Sequence, residues 1–181
     1  MSQNPSQPEN QIAYFATGCF WGAERRFWQM DGVVETSVGY MGGNKAEPTY
    51  KEVCTGETGH AEMVKVVFNS SVVTYNRLLQ EFWTMHDPTS LNKQGGDIGT
   101  QYRSAIYTTT PDQLIEAVNT HDRYEEVLIQ NGMDKICTEI QEADGHEYWL
   151  AEEYHQRYLE KNPNGYDCHS STGVAFPILV N

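Results

Sequence analysis

From Ile12 to Gly32 the sequence changes its hydrophobic period once, and that change restricts the folds open to the chain. Ile12–Ala16 (IAYFA) is a short apolar run that reads as a strand, closed by Thr17-Gly18. Ala23 to Met30 has helical character, and Asp31-Gly32 supplies a stop with glycine at the expected place. The mixture continues downstream. Strands are predicted over Val33–Tyr40, Glu62–Phe68, Tyr102–Thr108 and Ile136–Ala143. Helices are predicted over Tyr75–Met85, capped by Thr74, over Pro111 to about Gln130, and over Glu147–Lys161. His86 to Thr100 reads as a loop. Strands mixed with helices predict a sheet with helices packed on it, with the topology left open.

Composition limits what such a fold can do. The chain has 181 residues, enough for one domain with a sizeable core. Its net charge of −13, from 12 basic and 25 acidic residues, disfavours nucleic acid and anionic membranes as partners. No apolar run reaches membrane-spanning length. The opening MSQNPSQPENQ is polar, with two prolines, and lacks the plan of a secretory signal. It is expected to be a flexible tail over residues 1–11, followed by a single domain over 12–181. The four cysteines, Cys19, Cys54, Cys137 and Cys168, are widely spaced and form no C-x-x-C pair. A disulfide framework and a zinc site are therefore both disfavoured, and a reducing compartment with one or two active thiols fits better.

Cys19 stands where the glycine turn meets the helix. Unpaired amides and the positive helix end stabilise an anion there, and a lowered thiol pKa raises the reactive fraction. Phe20 and Trp21 would flank the sulfur with apolar surface suited to a methyl group. The competing reading is a buried cysteine packed among core aromatics. Local physics leaves both open.

The decisive pattern is longer. Gly-Cys-Phe-Trp-Gly at 18–22 is followed by Pro48–Gly56 (PTYKEVCTG), Thr58–Glu62 (TGHAE) and Gln94–Ser104 (QGGDIGTQYRS). Then come Ala151–Gln156 (AEEYHQ) and Lys161–Tyr166 (KNPNGY). In that order, over nearly the whole chain, these resemble the A-type peptide-methionine sulfoxide reductases.

The resemblance implies an α+β two-layer sandwich: a mixed sheet with packed helices and a ferredoxin-like core. It implies reduction of methionine S-sulfoxide, free or in peptides and proteins, with no cofactor and no metal. Cys19 would attack the sulfoxide sulfur and end as a sulfenic acid. Glu62 matches the family's general acid, and its place in an apolar strand would raise its pKa. Tyr50 and Tyr102 match hydroxyl donors to the sulfoxide oxygen, Asp97 a loop carboxylate that orders polar groups, and Phe20 and Trp21 the apolar wall. Each has a plainer alternative: a solvated carboxylate, half-buried tyrosines, a turn aspartate. His60, His155, Glu153 and Tyr154 read as structural.

Cys54 reads as a packed position and Cys137 as part of a strand, both bystanders. Cys168 lies in a glycine- and serine-bearing segment, expected to be mobile from about residue 164, that can swing as a resolving thiol must. The chain departs from the common Gly-Tyr-Cys pattern by placing Asp167 before Cys168, and has Ala175-Phe176 where some relatives carry a later cysteine. A Cys19–Cys168 disulfide reduced by thioredoxin is the resulting expectation, in a cytoplasmic monomer. A redox sensor that turns nothing over, or a cysteine hydrolase with a histidine base, are the competing classes.

Overall fold

The computed structural model describes residues 10–167 and 170–177. In chain order they form β1 (Asn10–Thr17), α1 (Phe20–Trp28), β2 (Val33–Met41), α2 (Tyr50–Val53), β3 (Ala61–Asn69) and α3 (Tyr75–Met85). There follow β4 (Lys93–Gln94), β5 (Asp97–Ile98), β6 (Ser104–Thr108), α4 (Pro111–Gln130), β7 (Glu139–Glu142), β8 (Trp149–Leu150) and α5 (Tyr158–Lys161). The main sheet runs β7-β6-β1-β3-β2-β8, and β4 pairs only with β5. All neighbours in the main sheet are antiparallel except β6 and β7, so the sheet is mixed. Its four central strands, β6-β1-β3-β2, are joined through α1 and α3 in the split β-α-β manner of a ferredoxin-like core.

Side-chain alternation decides what each face does. On one face Ala13 and Phe15 of β1, Val38 and Tyr40 of β2, Val64, Val66 and Phe68 of β3 and Ile106 of β6 meet the helices. Those helices contribute Phe20, Ala23 and Phe27 from α1, Leu78 and Phe82 from α3, and Tyr124 and Leu128 from α4. The opposite face carries a smaller cluster, Ala16, Met41, Met63 and Tyr107, covered by Tyr14, Ala143 and Tyr148. Helices therefore form one layer and the sheet the other. Glu62 falls in phase with Val64 and Val66, which turns its carboxyl toward the helices rather than toward water.

The structure revises several boundaries. Asn10 and Gln11, expected in the tail, already pair with Asn69 and Phe68, while residues 1–9 lie outside the described residues. The helix expected over 147–161 is absent as such. Trp149 and Leu150 instead pair with Tyr40 and Gly39 at the sheet edge. The Gln156 amide then completes that edge, accepting from Val38 N at 2.9 Å and donating to Val38 O at 2.8 Å. What remains helical is a single 3-10 turn, Glu153–His155, and α5, Tyr158–Lys161, after Arg157 at φ 49. Backbone groups of an otherwise open strand thus outbid local helix propensity.

The strand expected from Ile136 begins only at Glu139, because Cys137 N donates to Pro88 O at 2.9 Å instead of to β6. The segment from about residue 164, expected to be mobile, makes contacts with the rest of the fold where it is described. Asp167 ion-pairs with Arg25, and the Tyr124 hydroxyl donates to Val174 O at 2.7 Å. Phe176 stacks on Tyr124 with ring centroids 5.7 Å apart. Among the described residues no helix is long and apolar enough to cross a membrane.

α1 is seated on the sheet by Phe27, wholly buried and stacked on Phe15 at 5.0 Å and 11°. Phe27→Ala should therefore cost about 3–5 kcal/mol, read by denaturant unfolding. A loss below about 1 kcal/mol would show that α1 is held chiefly elsewhere.

Candidate active site

The site begins with a backbone requirement. Gly18 has φ +103, and a Cβ there would stand 2.8 Å from Cβ and Cγ of Gln94. Only glycine makes this turn without strain. Cys19, half-buried, then occupies the N-cap of α1 with φ −56 and ψ 122. Its side chain starts where first-turn amides and the positive helix end favour an anion.

The next residue supplies the second contact. Phe20 N donates to Glu62 Oε1 at 3.2 Å, joining the mouth of α1 to the start of β3. Glu62 is 2% exposed. Burial drives its pKa up, the Phe20 amide opposes the rise, and the nearby Asp97 charge adds to it, for a value of about 8. Near neutrality this carboxyl holds a proton, and its remaining oxygen is able to donate it.

Tyr50 opens α2, whose N-cap Thr49 and Glu52 bond reciprocally in a capping box. Tyr102 ends a single turn, Thr100–Tyr102, just before β6. Burial first, and the Glu62 charge among lesser causes, raises both phenols above their ordinary value. They remain neutral donors throughout the physiological range. Asp97, in β5, accepts the Tyr166 hydroxyl at 3.2 and 3.3 Å. The apolar wall divides in two: Phe20 is buried in the core, whereas Trp21 is only half-buried.

Cys19, Phe20, Trp21, Tyr50, Glu62, Asp97 and Tyr102 line one pocket of about 130 Å³, together with Tyr166. Every expected site residue that the structure describes is therefore brought to one place, and Cys168 lies outside the described residues. Cys19 also borders a small cleft shared with Arg26, Gln94 and Ser170. Two roomier clefts, about 490 and 320 Å³, contain no cysteine. Chemical company, rather than volume, marks the site. Among the described residues no group of three or more His, Cys, Asp or Glu could hold a metal ion.

Sequence reasoning passed over Tyr166 and Glu152. Glu152 accepts the Tyr40 hydroxyl at 3.0 Å and the Tyr50 amide at 3.1 Å, which fixes the start of α2. Its one legible signal is its place in AEEYHQ. His60 acts as a structural bonder, accepting from Gly43 N at 3.0 Å and meeting Lys45 O at 2.7 Å. Cys54, expected to be packed, is exposed at the C-cap of α2. The four-residue length of α2 is the reason: it turns Val53 inward and leaves Cys54 outside.

Comparison with known proteins agrees with this geometry. Residues 11–176 match the family model described as peptide methionine sulfoxide reductase. The chain is 53% identical over 170 residues to the peptide methionine sulfoxide reductase MsrA of Streptomyces griseus, covering 94% of this chain and 77% of that one. It is 49% identical over 176 residues to a human mitochondrial peptide methionine sulfoxide reductase, with coverages of 97% and 74%. The solved methionine sulfoxide reductase A of Corynebacterium diphtheriae is similar at a TM-score of 0.84 and 46% identity, covering 96% of this chain and 85% of the other.

The raised pKa of Glu62 has a stability consequence with a definite sign. A folded-state pKa near 8 against 4.5 means a contribution fully present below pH 4.5 and lost as pH rises through about 8. Glu62→Gln, which stays neutral, should be more stable than the unsubstituted chain at about pH 9, with the difference vanishing near pH 4. Thermal unfolding across that range is the measurement, and a constant difference would show that Glu62 is ionised in the folded state.

Proposed function

The chain belongs to the peptide methionine sulfoxide reductase family, and on that premise we propose how this site performs the reduction. The observation that carries the proposal is the meeting of Cys19, a proton-holding Glu62 and two neutral phenols in one small pocket. The sulfoxide oxygen enters between Glu62, Tyr50 and Tyr102, which donate hydrogen bonds to it, and its methyl group packs against Trp21. Hydrogen bonding draws electrons toward oxygen and leaves the sulfur electrophilic. The Cys19 thiolate attacks that sulfur while Glu62 protonates the oxygen. In net terms the oxygen passes to Cys19: a thiol and a sulfoxide become a sulfenic acid and a thioether, the methionine product. Asp97, held by Tyr166, keeps negative charge near Glu62 and so favours its protonated form. The S epimer is the proposed substrate.

Recycling needs a second thiol, and Cys168 is proposed for it. Support comes from its described neighbours in sequence: Tyr166 lines the pocket, and Ser170 shares a cleft with Cys19. Attack of the Cys168 thiol on the sulfenic acid forms a disulfide and releases water, and a thioredoxin dithiol reduces that disulfide. The wide spacing of the cysteines suits a reducing compartment, and a cytoplasmic site of action is proposed on that ground. A Cys–His hydrolase is disfavoured, since His86, which shares a cleft with Cys19, and His60 each have both ring nitrogens engaged, and His155 has its Nδ1 engaged by Trp21.

Methionine release from separated S and R sulfoxides tests the activity, and comparable release from both would reject the stereochemical assignment. Cys19→Ser should abolish release. Cys168→Ser should still give about one methionine per enzyme, trap a sulfenic acid reactive to dimedone, and stall with thioredoxin. A Cys19–Cys54 or Cys19–Cys137 bond in the oxidised protein would reject Cys168 as the resolving thiol. Glu62→Gln should slow the sulfoxide step by roughly 10²–10⁴-fold near neutral pH. That gap should narrow as pH rises through about 8, because only the carboxyl loses its proton there. A pH-independent gap would reject the acid role.

A further inference from the structure

Trp21 offers the accessible part of the apolar wall, but an indole on the first turn of a helix has more than one rotamer open to it. Here it is held from behind. Its Nε1–H donates to Nδ1 of His155 at 3.0 Å, and its ring stacks on Tyr158 at 3.8 Å and 13°. The His155 ring is wholly buried and lies 5.1 Å from Phe20 and 4.6 Å from Tyr50, both of which line the pocket. The backbone that carries His155 is tied down one turn earlier, where Glu152 accepts the Tyr50 amide.

An indole nitrogen can only donate, so Nδ1 has to be the acceptor and the proton of the neutral ring sits on Nε2. That Nε2 is buried and has no hydrogen-bond partner among the described residues. A buried donor left unmade costs stability, and a phenylalanine would fill the same space without that cost. An imidazole kept at such a position is kept for its other nitrogen. Burial also lowers its pKa, opposed by Glu152 and assisted by Lys161, which favours the neutral ring that the bond requires.

We propose that His155 is a positioning residue for substrate recognition, fixing the Trp21 indole as the wall on which the sulfoxide methyl packs. It reaches no solvent and touches no substrate; it acts through Trp21. This rests on the sulfoxide reading of the pocket given above.

The test is single-turnover reduction of a methionine S-sulfoxide at varied concentration. His155→Phe should raise the half-saturating concentration roughly twofold to twelvefold, the range set by one lost hydrogen bond, while the maximal rate changes less than about twofold. His155→Gln, whose amide oxygen can accept from the indole, should recover part of that loss. In a Trp21→Phe background the same His155→Phe change should shift half-saturation by less than about twofold, because the bond is already gone. An unmoved half-saturation in His155→Phe, or an equal shift in the Trp21→Phe background, would overturn the proposal. Nitrogen-15 shifts of the unsubstituted protein give a readout that does not depend on any variant folding. They should show the Nε2–H tautomer at neutral pH, and an Nδ1-protonated His155 would equally overturn it. Absence of turnover by the unsubstituted chain would sink the sulfoxide reading itself, a failure distinct from either of these.

Discussion

One hydrogen bond joins the start of the helix that follows Cys19 to the strand that carries Glu62. The Phe20 amide and the Glu62 carboxyl meet at 3.2 Å across the junction of α1 and β3. A carboxyl group would ordinarily seek water, yet the phase of β3 turns this one inward with Val64 and Val66. Its burial is tolerable because one oxygen is satisfied by an amide that α1 would otherwise leave unpaired. The same burial produces the raised pKa on which the proposed proton donation rests. Helix start, strand phase and acid chemistry are thus one constraint seen from three sides.

Around that contact the structure adds a brace from distant sequence. The stretch Glu152–His155 meets Tyr40, Tyr50, Trp21 and Phe20, all more than a hundred residues earlier in the chain. It can do so because β8 and the Gln156 amide seize the edge of β2 and draw the chain across the helix-bearing face. Arg157, in a left-handed conformation, donates its amide to the buried Glu24 of α1 at 2.7 Å, fixing the brace to the helix that presents Cys19.

Local signals proved legible where the chemistry that sets them is local. α3 and α4 occupy the expected residues because Thr74 and Thr110 accept from amides three residues on, at 3.1 Å in both cases. The turn at Gly18 and the placement of Cys19 follow from adjacent residues in the same way. The buried place of Glu62 was legible through its apolar strand, whereas Cys168 lies outside the described residues. What could not be read was set by partners far away. The periodicity of 147–161 is helical, but the open edge of β2 claimed its first residues. Cys137 sits in a strand-like run whose amide found Pro88 first. Tyr166 and Glu152 acquire their meaning only from Asp97, Tyr40 and Tyr50, contacts that no spacing rule reveals.

The outer strands of the sheet have a consequence of another kind. Among the described residues β1, of eight, and β3, of nine, lie wholly inside the sheet, and β7, of four, forms one margin; on β2, of nine, β8 with Ala151 and Gln156 covers Val38–Tyr40 and leaves Val33–Ser37 as the longest bare run of the other. A long bare margin is a template for a foreign strand, and oxidised, partly unfolded polypeptides are rich in such strands. Shortening the bare run on β2 from nine residues to five leaves a foreign strand less backbone to pair with.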